Sequence, residues 1–256
     1  RKISKVSFGF EDVEASEKQE KVDSIFSNVA NSYDKMNDLM SFRTHRIWKN
    51  ELIDMINPKD NLKYIDVAGG TGDISLRIAD RICVDVEMDE SKKGLITVCD
   101  INQAMLEHGK NRQESRNYED LISWTSGNAE KLPFEDSQFD VYTISFGIRN
   151  CTHIDKVLSE AYRVLKPSGR FYCLEFSQVD NLLLSEIYDQ YSYNVIPALG
   201  HLFANDWKSY QYLVESIRRF PDQEKFLKMI QETGFKGTYY RNFSAGISAV
   251  HFGIKI

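Results

Sequence analysis

Apolar residues recur at three- and four-residue intervals at Val22, Ile25, Phe26 and Val29, a spacing that predicts a short helix. The same spacing at Trp48, Leu52, Ile53 and Ile56 predicts a second helix, stopped before Pro58. Between them lie Tyr33, Met36, Asn37, Leu39, Met40 and Phe42, which either pack as an ordinary connector or cover a pocket. A different pattern begins at Tyr64. YIDVA reads as a short strand, GGTGD follows at once, and Ile74 and Ile78 open a helical pattern, so strand, tight turn and helix are contiguous. Further strands are predicted at Ile96–Cys99, Ile122–Thr125, Asp140–Ser145 and Arg170–Phe176, with a helix around Ala104–His108. An amphipathic helix over Ile154–Leu165 is ended by Pro167 and Gly169. Thr238–Phe243 and Ala249–Ile254 read as two final strands, arranged as a hairpin.

This alternation predicts an α/β fold with a mostly parallel sheet covered by helices. Residues 1–21 are polar and charged and read as a flexible N-terminal arm or a segment that a ligand orders, whereas 22–256 read as one domain. Within it, 22–57 form a helical cover, 80–94 an acidic surface insertion, and 182–219, rich in Tyr, Phe, Leu and Trp, a helical insertion. That insertion is expected over the sheet's carboxyl edge, where open α/β folds bind ligands. A chain of 256 residues buries a sizeable core without needing a second domain. Its net charge of −6 gives no general attraction to nucleic acid, and no apolar run is long enough to span a bilayer. Cys83, Cys99, Cys151 and Cys173 are far apart and read as buried free thiols; with His45, His108, His153, His201 and His251 they make no metal-ligand spacing, so no metal is expected.

The chemistry concentrates after the first strands. Gly69, Gly70 and Gly72 remove side-chain bulk where backbone turns tightly, either for a ligand or merely for the turn. DVAGGTGD departs from the dinucleotide fingerprint GxGxxG and has no P-loop lysine, so a pyrophosphate has little to hold it. A nucleoside joined to an amino acid suits it better, with Asp66 and Asp73 setting charge and loop geometry. Asp100, ending the second strand, can accept hydrogen bonds from both ribose hydroxyls. Met105 packs either on an adenine or in the core, and Asn128, Ala129 and Glu130 either recognise an adenine edge or cap a helix. Gly147, Arg149 and Asn150 lie where the strand ending near Ser145 opens into the same crevice.

An ordered series of segments now carries a resemblance: VDSIFSNVANSYDKMNDLMSFRTHRIWK, YIDVAGGTGDISLR, NAEKLPFEDSQFD, TISFGIRN, RVLKPSGRFYCLEFS and YQYLVESIRRFPDQEKF. Together they cover most of the chain after the arm, which resembles the ubiquinone/menaquinone biosynthesis carbon methyltransferases, on their mitochondrial ubiquinone branch. The resemblance implies a Rossmann-like class I methyltransferase fold with a seven-stranded, mostly parallel sheet and an antiparallel C-terminal strand. It implies methyl transfer from S-adenosylmethionine to a ring carbon of a prenylated methoxybenzoquinol, and peripheral residence on the matrix face of the mitochondrial inner membrane. A homodimer and a multiprotein ubiquinone-biosynthesis complex are further expectations of the family. It assigns the donor's methionyl end to Asp66–Asp73, ribose to Asp100 and adenine to Asn128 and Ala129, with Thr71 and Ser145 lining the pocket. The chain departs from the family at its acidic insertion and at Ser168, where the family turn has a second glycine.

Methylation at carbon requires a quinol hydroxyl to lose its proton and an aligned ring carbon. Arg149 is expected to stabilise the phenolate or to orient a proton-accepting water, since a guanidinium is itself a poor base. Asn150 would hold that water or Arg149, Tyr33 would add a hydroxyl or cover the pocket, and His153 is a competing base. The alternative role for Arg149 is a salt bridge that fastens its loop. Tyr188, Tyr191, Tyr193 and Phe203, with Pro197, Leu199 and Leu202, either line a channel for the prenylated acceptor or form core or a dimer interface. Arg218 and Arg219 contact lipid headgroups or simply cap and salt-bridge a helix. Two other classes compete: an NAD-dependent oxidoreductase, and a non-catalytic methyltransferase-fold scaffold.

Overall fold

A computed structural model of the chain describes residues 5–29, 33–83, 93–114, 116–179, 181–204 and 206–256. It opens on a hairpin, β1 (Lys5–Phe8) and β2 (Glu11–Glu14), followed by the helices α1 (Ala15–Val29), α2 (Tyr33–Met40) and α3 (Thr44–Ile56). The alternating part comprises β3 (Tyr64–Val67), α4 (Asp73–Ile82), β4 (Ile96–Asp100), α5 (Gln103–Glu114), β5 (Ile122–Ser126), β6 (Phe139–Ser145), α6 (Ile154–Val164) and β7 (Leu165–Phe176). Four helices then intervene, α7 (Leu182–Gln190), α8 (Ile196–Ala204), α9 (Trp207–Arg219) and α10 (Gln223–Thr233), before β8 (Lys236–Phe243) and β9 (Ser248–Ile254). A π-helical turn, Tyr191–Val195, joins α7 to α8.

Among the described residues, seven strands form one sheet in the order β5-β4-β3-β6-β7-β9-β8. Only β9 runs against its neighbours, so the predicted mostly parallel sheet with an antiparallel final strand is what the chain forms. The strands alternate side chains between two cores, as a two-residue period requires. Tyr64, Val98, Tyr172 and Leu174 pack beneath α3 and α4 with Leu52, Ile56 and Ile78, whereas Ile65, Cys99, Phe171 and Cys173 pack against α6 and α10 with Leu158, Phe226 and Ile230. A third cluster, Met36, Met40, Ile196, Tyr210 and Val214, holds α2, α8 and α9 together as a cap.

Three local readings change. Residues 5–14 form the β1–β2 hairpin and α1 starts at Ala15, where the sequence pattern shows only a polar arm. The apolar connector contains a helix, α2. Ser168, a departure expected to disturb its turn, takes φ 67 and donates its N–H to Lys255 O at 2.7 Å, so a left-handed turn forms there without a glycine. Most of the acidic insertion, residues 84–92, lies outside the described residues.

Candidate active site

The strand order reverses between β3 and β6, and the crevice beyond their carboxyl ends is where such a sheet leaves room for a ligand. The β3–α4 loop bends there through left-handed Ala68, Gly70 and Gly72, at φ 50, 55 and 73. Gly70 N–H donates to Asp100 Oδ2 and Asn102 N–H to its Oδ1, both at 2.8 Å, so one carboxylate ties the loop to the end of β4. Asp66, Gly69, Gly70, Thr71, Asp73, Asp100, Met105, Asn128, Ala129 and Ser145, all singled out from sequence, line one cavity. Gly72 stands behind it: a Cβ there would lie 2.5 Å from Trp124 Cη2, so this glycine serves packing.

The charges divide unequally. Asp66 is buried and accepts from Ser75 Oγ (3.0 Å) and Thr143 Oγ1 (2.9 Å); burial pushes its pKa up to about 6 against those hydrogen bonds. Burial also acts to raise Asp73, but Lys49 (2.7 Å), Arg77 (3.2 Å) and Arg112 (3.9 Å) outweigh it and hold that carboxyl well below the usual range. Asp73 is therefore engaged by the protein's own cations, whereas Asp66 is held by two hydroxyls. Because the Asp66 pKa is raised in the folded state, its protonated form favours folding, and that stability is lost as pH rises from about 4 through about 6. Asp66→Asn escapes this loss. Urea unfolding should show it gaining about 3 kcal/mol on the parent between pH 4 and pH 7, at roughly 1.4 kcal/mol per pKa unit; a constant difference across that range would refute the assignment.

Helix α1 roofs this cavity with Gln19, Val22, Asp23 and Phe26. Asn102 Nδ2 clamps it by donating to Asp23 Oδ1 (2.6 Å) and Ser27 Oγ (2.9 Å), while buried Lys18 donates to Cys151 O (2.9 Å). Asn102 also accepts Met105 N–H at 3.0 Å and so caps α5. Asn128 accepts Glu130 N–H at 2.8 Å, and Glu130 in turn accepts the N–H groups of Thr152 and His153. The NAE segment thus shapes its loop and lines the cavity at once.

A second cavity, of ≈ 440 Å³, adjoins the first. Phe26, Lys49, Phe146 and Asn150 line both. Arg149, in the 3-10 turn after β6, is buried in its wall. Its Nη1 donates to Glu175 Oε1 (2.8 Å) and Phe146 O (2.6 Å), its guanidinium lies over the Phe176 ring, and its Nε finds no hydrogen-bond partner among the described residues. Glu175 is fully buried at the end of β7; burial raises its pKa and the Arg149 charge acts against the rise. The salt bridge to Glu175 fastens the Arg149 loop, and the residue also lines the second cavity. Asn150 accepts the Tyr212 hydroxyl (3.1 Å), and Tyr212 stacks on Phe8 of the hairpin.

Of the proposed acceptor wall, Tyr188 and Tyr191 line this second cavity. Burial pushes the Tyr188 hydroxyl up to about 12, and the Tyr191 hydroxyl donates to Met40 O at 2.7 Å. Phe203 is a correction: it is 60% exposed on the outer side of α8, with Leu202 and Tyr193 also exposed, and stands outside the cavity lining. His153 begins α6 and likewise is not a lining residue. Arg218 is paired with Asp189 and lies over the rings of Tyr188 and Tyr193, so it fastens α9 to α7. Tyr33 begins α2, and its side chain lies outside the described residues. Sequence reasoning missed Glu175, Tyr212, Lys49 and the α1 clamp. An acid inside the apolar strand CLEF was a readable signal for Glu175; the others depend on contacts between distant elements.

The ubiE/COQ5 methyltransferase family matches residues 14–255. A mitochondrial 2-methoxy-6-polyprenyl-1,4-benzoquinol methylase of Dictyostelium discoideum is 51% identical, covering 97% of this chain and 86% of its own. Its counterpart in Oryza sativa subsp. japonica is 53% identical over 98% and 88%. Among solved structures, an S-adenosylmethionine-dependent methyltransferase from Thermotoga maritima superposes with a TM-score of 0.64 at 17% identity, covering 92% of this chain and all of that one, a likeness of fold.

Proposed function

Taking as premise that the chain belongs to the ubiE/COQ5 methyltransferase family, we propose that its two adjoining cavities hold the methyl donor and the quinol acceptor. The protein is an S-adenosylmethionine-dependent carbon methyltransferase of ubiquinone biosynthesis, methylating a ring carbon of 2-methoxy-6-polyprenyl-1,4-benzoquinol. The observation that carries the two-site reading is the shared wall, because two reactants lodged on either side of Phe26, Lys49, Phe146 and Asn150 meet there.

The residues fit the donor. Ser145 Oγ is buried with no partner among the described residues, Asp100 keeps lone pairs beyond its two N–H bonds, and the backbone at Gly70 is open to the cavity. Asp100 would accept the ribose hydroxyls, Asn128 and Ala129 the adenine edge, and Met105 a ring face, with Asp66 meeting the ammonium. Lys49, Arg77 and Arg112 outnumber Asp73 and leave positive charge for a carboxylate. When bound, the donor supplies an electrophilic methyl group. In the acceptor cavity, Trp48, Phe146, Phe176 and Tyr191 offer apolar surface to the ring. The free Nε–H of Arg149 stabilises negative charge on a ring oxygen, and Asn150, steadied by Tyr212, sets the oxygen or a water beside it.

The relatives are mitochondrial and so is this chain. Its proposed place is the matrix face of the inner membrane; contact with a membrane is supported by exposed Leu184, Ile187, Leu202, Phe203 and Trp207 on the helical insertion, an apolar surface suited to one that holds a prenylated acceptor. A second copy, or a partner in a biosynthetic assembly, would compete for the same surface. Labelled methyl incorporation tests both levels. Transfer to a soluble short-chain quinol is expected from the parent and from Leu202→Ser/Phe203→Ser, while only the parent retains full activity on quinol in anionic vesicles. Donor binding without transfer would favour the scaffold reading.

A further inference from the structure

The turn joining α2 to α3 is strained: Phe42 and Arg43, neither a glycine, both adopt left-handed backbone, at φ 48 and 62. This bend brings Ser41 back over the first turn of α3. Ser41 Oγ lies 2.6 Å from both His45 Nδ1 and Asn37 O, two acceptors between which its proton can turn, and His45 Nε2 lies 3.6 Å from Asp38 Oδ1. Asp38 is in turn gripped by Arg46, through Nε at 2.6 Å and Nη2 at 2.7 Å. His45 is buried, and both it and Ser41 line the acceptor cavity; Lys49, one helical turn further on, lines both cavities. Strained backbone that sets a hydroxyl and an imidazole on a cavity wall, with a carboxylate behind the imidazole, points to chemistry at that wall.

We propose that Ser41, His45 and Asp38 form a relay that takes up the proton the quinol loses when its ring is methylated. This rests on the methyl-transfer reading given above. The ring carbon forms its bond to the methyl carbon while the carbon–sulfur bond breaks and its electron pair stays on sulfur. The quinol hydroxyl gives its proton to Ser41 Oγ as the Ser41 proton passes to His45 Nδ1, and the oxygen's electron pair moves into the ring. Asp38 faces the imidazolium so formed. The proton on the methylated carbon is then carried by solvent water to the ring oxygen, which restores aromaticity. One proton leaves per methyl transferred, and it is the one His45 releases to solvent.

The electrostatics suit an acceptor that is empty at the outset. Burial, then the Lys49 ammonium, lowers the His45 pKa to about 4; Asp38 and Asp73 pull it upward and Arg46 downward, so the ring is neutral at neutral pH. A weak base is sufficient, because the quinol hydroxyl becomes strongly acidic as the carbon–carbon bond forms.

Two variants test the relay: His45→Gln and Ser41→Ala, the second removing one oxygen with little risk to folding. Each should lower kcat by about 10²-fold, with quinol KM and S-adenosylhomocysteine affinity within threefold of the parent. In a further variant, His45→Ala, added imidazole should partly restore turnover. By nitrogen NMR, His45 should titrate near pH 4 in the parent, and its Nδ1 resonance should move when a short-chain quinol binds alongside S-adenosylhomocysteine, but not in Ser41→Ala. Parent-like kcat in both variants, or a His45 resonance blind to quinol, would overturn the relay. A parent enzyme that binds donor yet methylates no quinol would overturn the acceptor reading first, which separates the two failures.

Discussion

Arg149→Ala should lower kcat for quinol methylation by about 10²–10³-fold, the usual effect of removing one donor that stabilises developing negative charge. It should also lower stability by about 3–5 kcal/mol, because Glu175 would be left as an unpaired charge in a fully buried position. These effects are separable. Arg149→Met/Glu175→Met removes both members of the pair, and replacing a buried pair by apolar groups is often close to neutral, so this double variant should unfold near the parent's urea midpoint and still fail in single-turnover methyl transfer. Donor affinity, measured by titration calorimetry, should be unchanged in the double variant, since Arg149 lines the acceptor cavity. Parent-like turnover by folded Arg149→Ala would remove the residue from the chemistry and leave it only the loop.

Asp100→Ala should act on the other substrate. The substitution removes an acceptor from two backbone N–H groups, at Gly70 and Asn102, and from the ribose it is proposed to hold. A hydrogen bond to a charged group contributes about 1.5–3 kcal/mol, so donor affinity should fall by about 10- to 10²-fold for each ribose bond lost. S-adenosylhomocysteine should lose as much as the donor, because the two share the ribose. The quinol KM at saturating donor should stay within a few-fold. Unchanged affinity for both nucleosides would place the ribose elsewhere in the crevice.

The parts of this site legible in sequence are those whose cause is local. The β3–α4 loop announced itself because a strand, three glycines and two acids follow one another within ten residues, and Asp100 because an acid closes an apolar strand. Arg149 and Asn150 were placed by the same logic, after β6. Contacts between distant parts of the chain were not legible. The β1–β2 hairpin has almost no apolar pattern of its own and is held by the stack of Phe8 on Tyr212 and by Glu215 accepting Phe10 N–H, both on α9. Phe203 was misplaced for a related reason: aromatic content alone does not say which face of α8 turns inward, and the side chains facing α9 proved to be others. His45 was counted only as a failed metal ligand, because its meaning depends on a bend at Phe42 and Arg43 that no residue type there advertises.

The indole of Trp124, wedged against the backbone at Gly72 and again at Gly109, has a use beyond filling space. Its ring edge rests on the loop that a nucleoside must touch, whereas Trp48 looks into the neighbouring chamber and Trp207 stands at the outer surface. The molecule therefore carries three optical probes at three separate stations. Emission from a variant keeping one of them would follow in real time the filling of either chamber, or the approach of a vesicle, without any attached label.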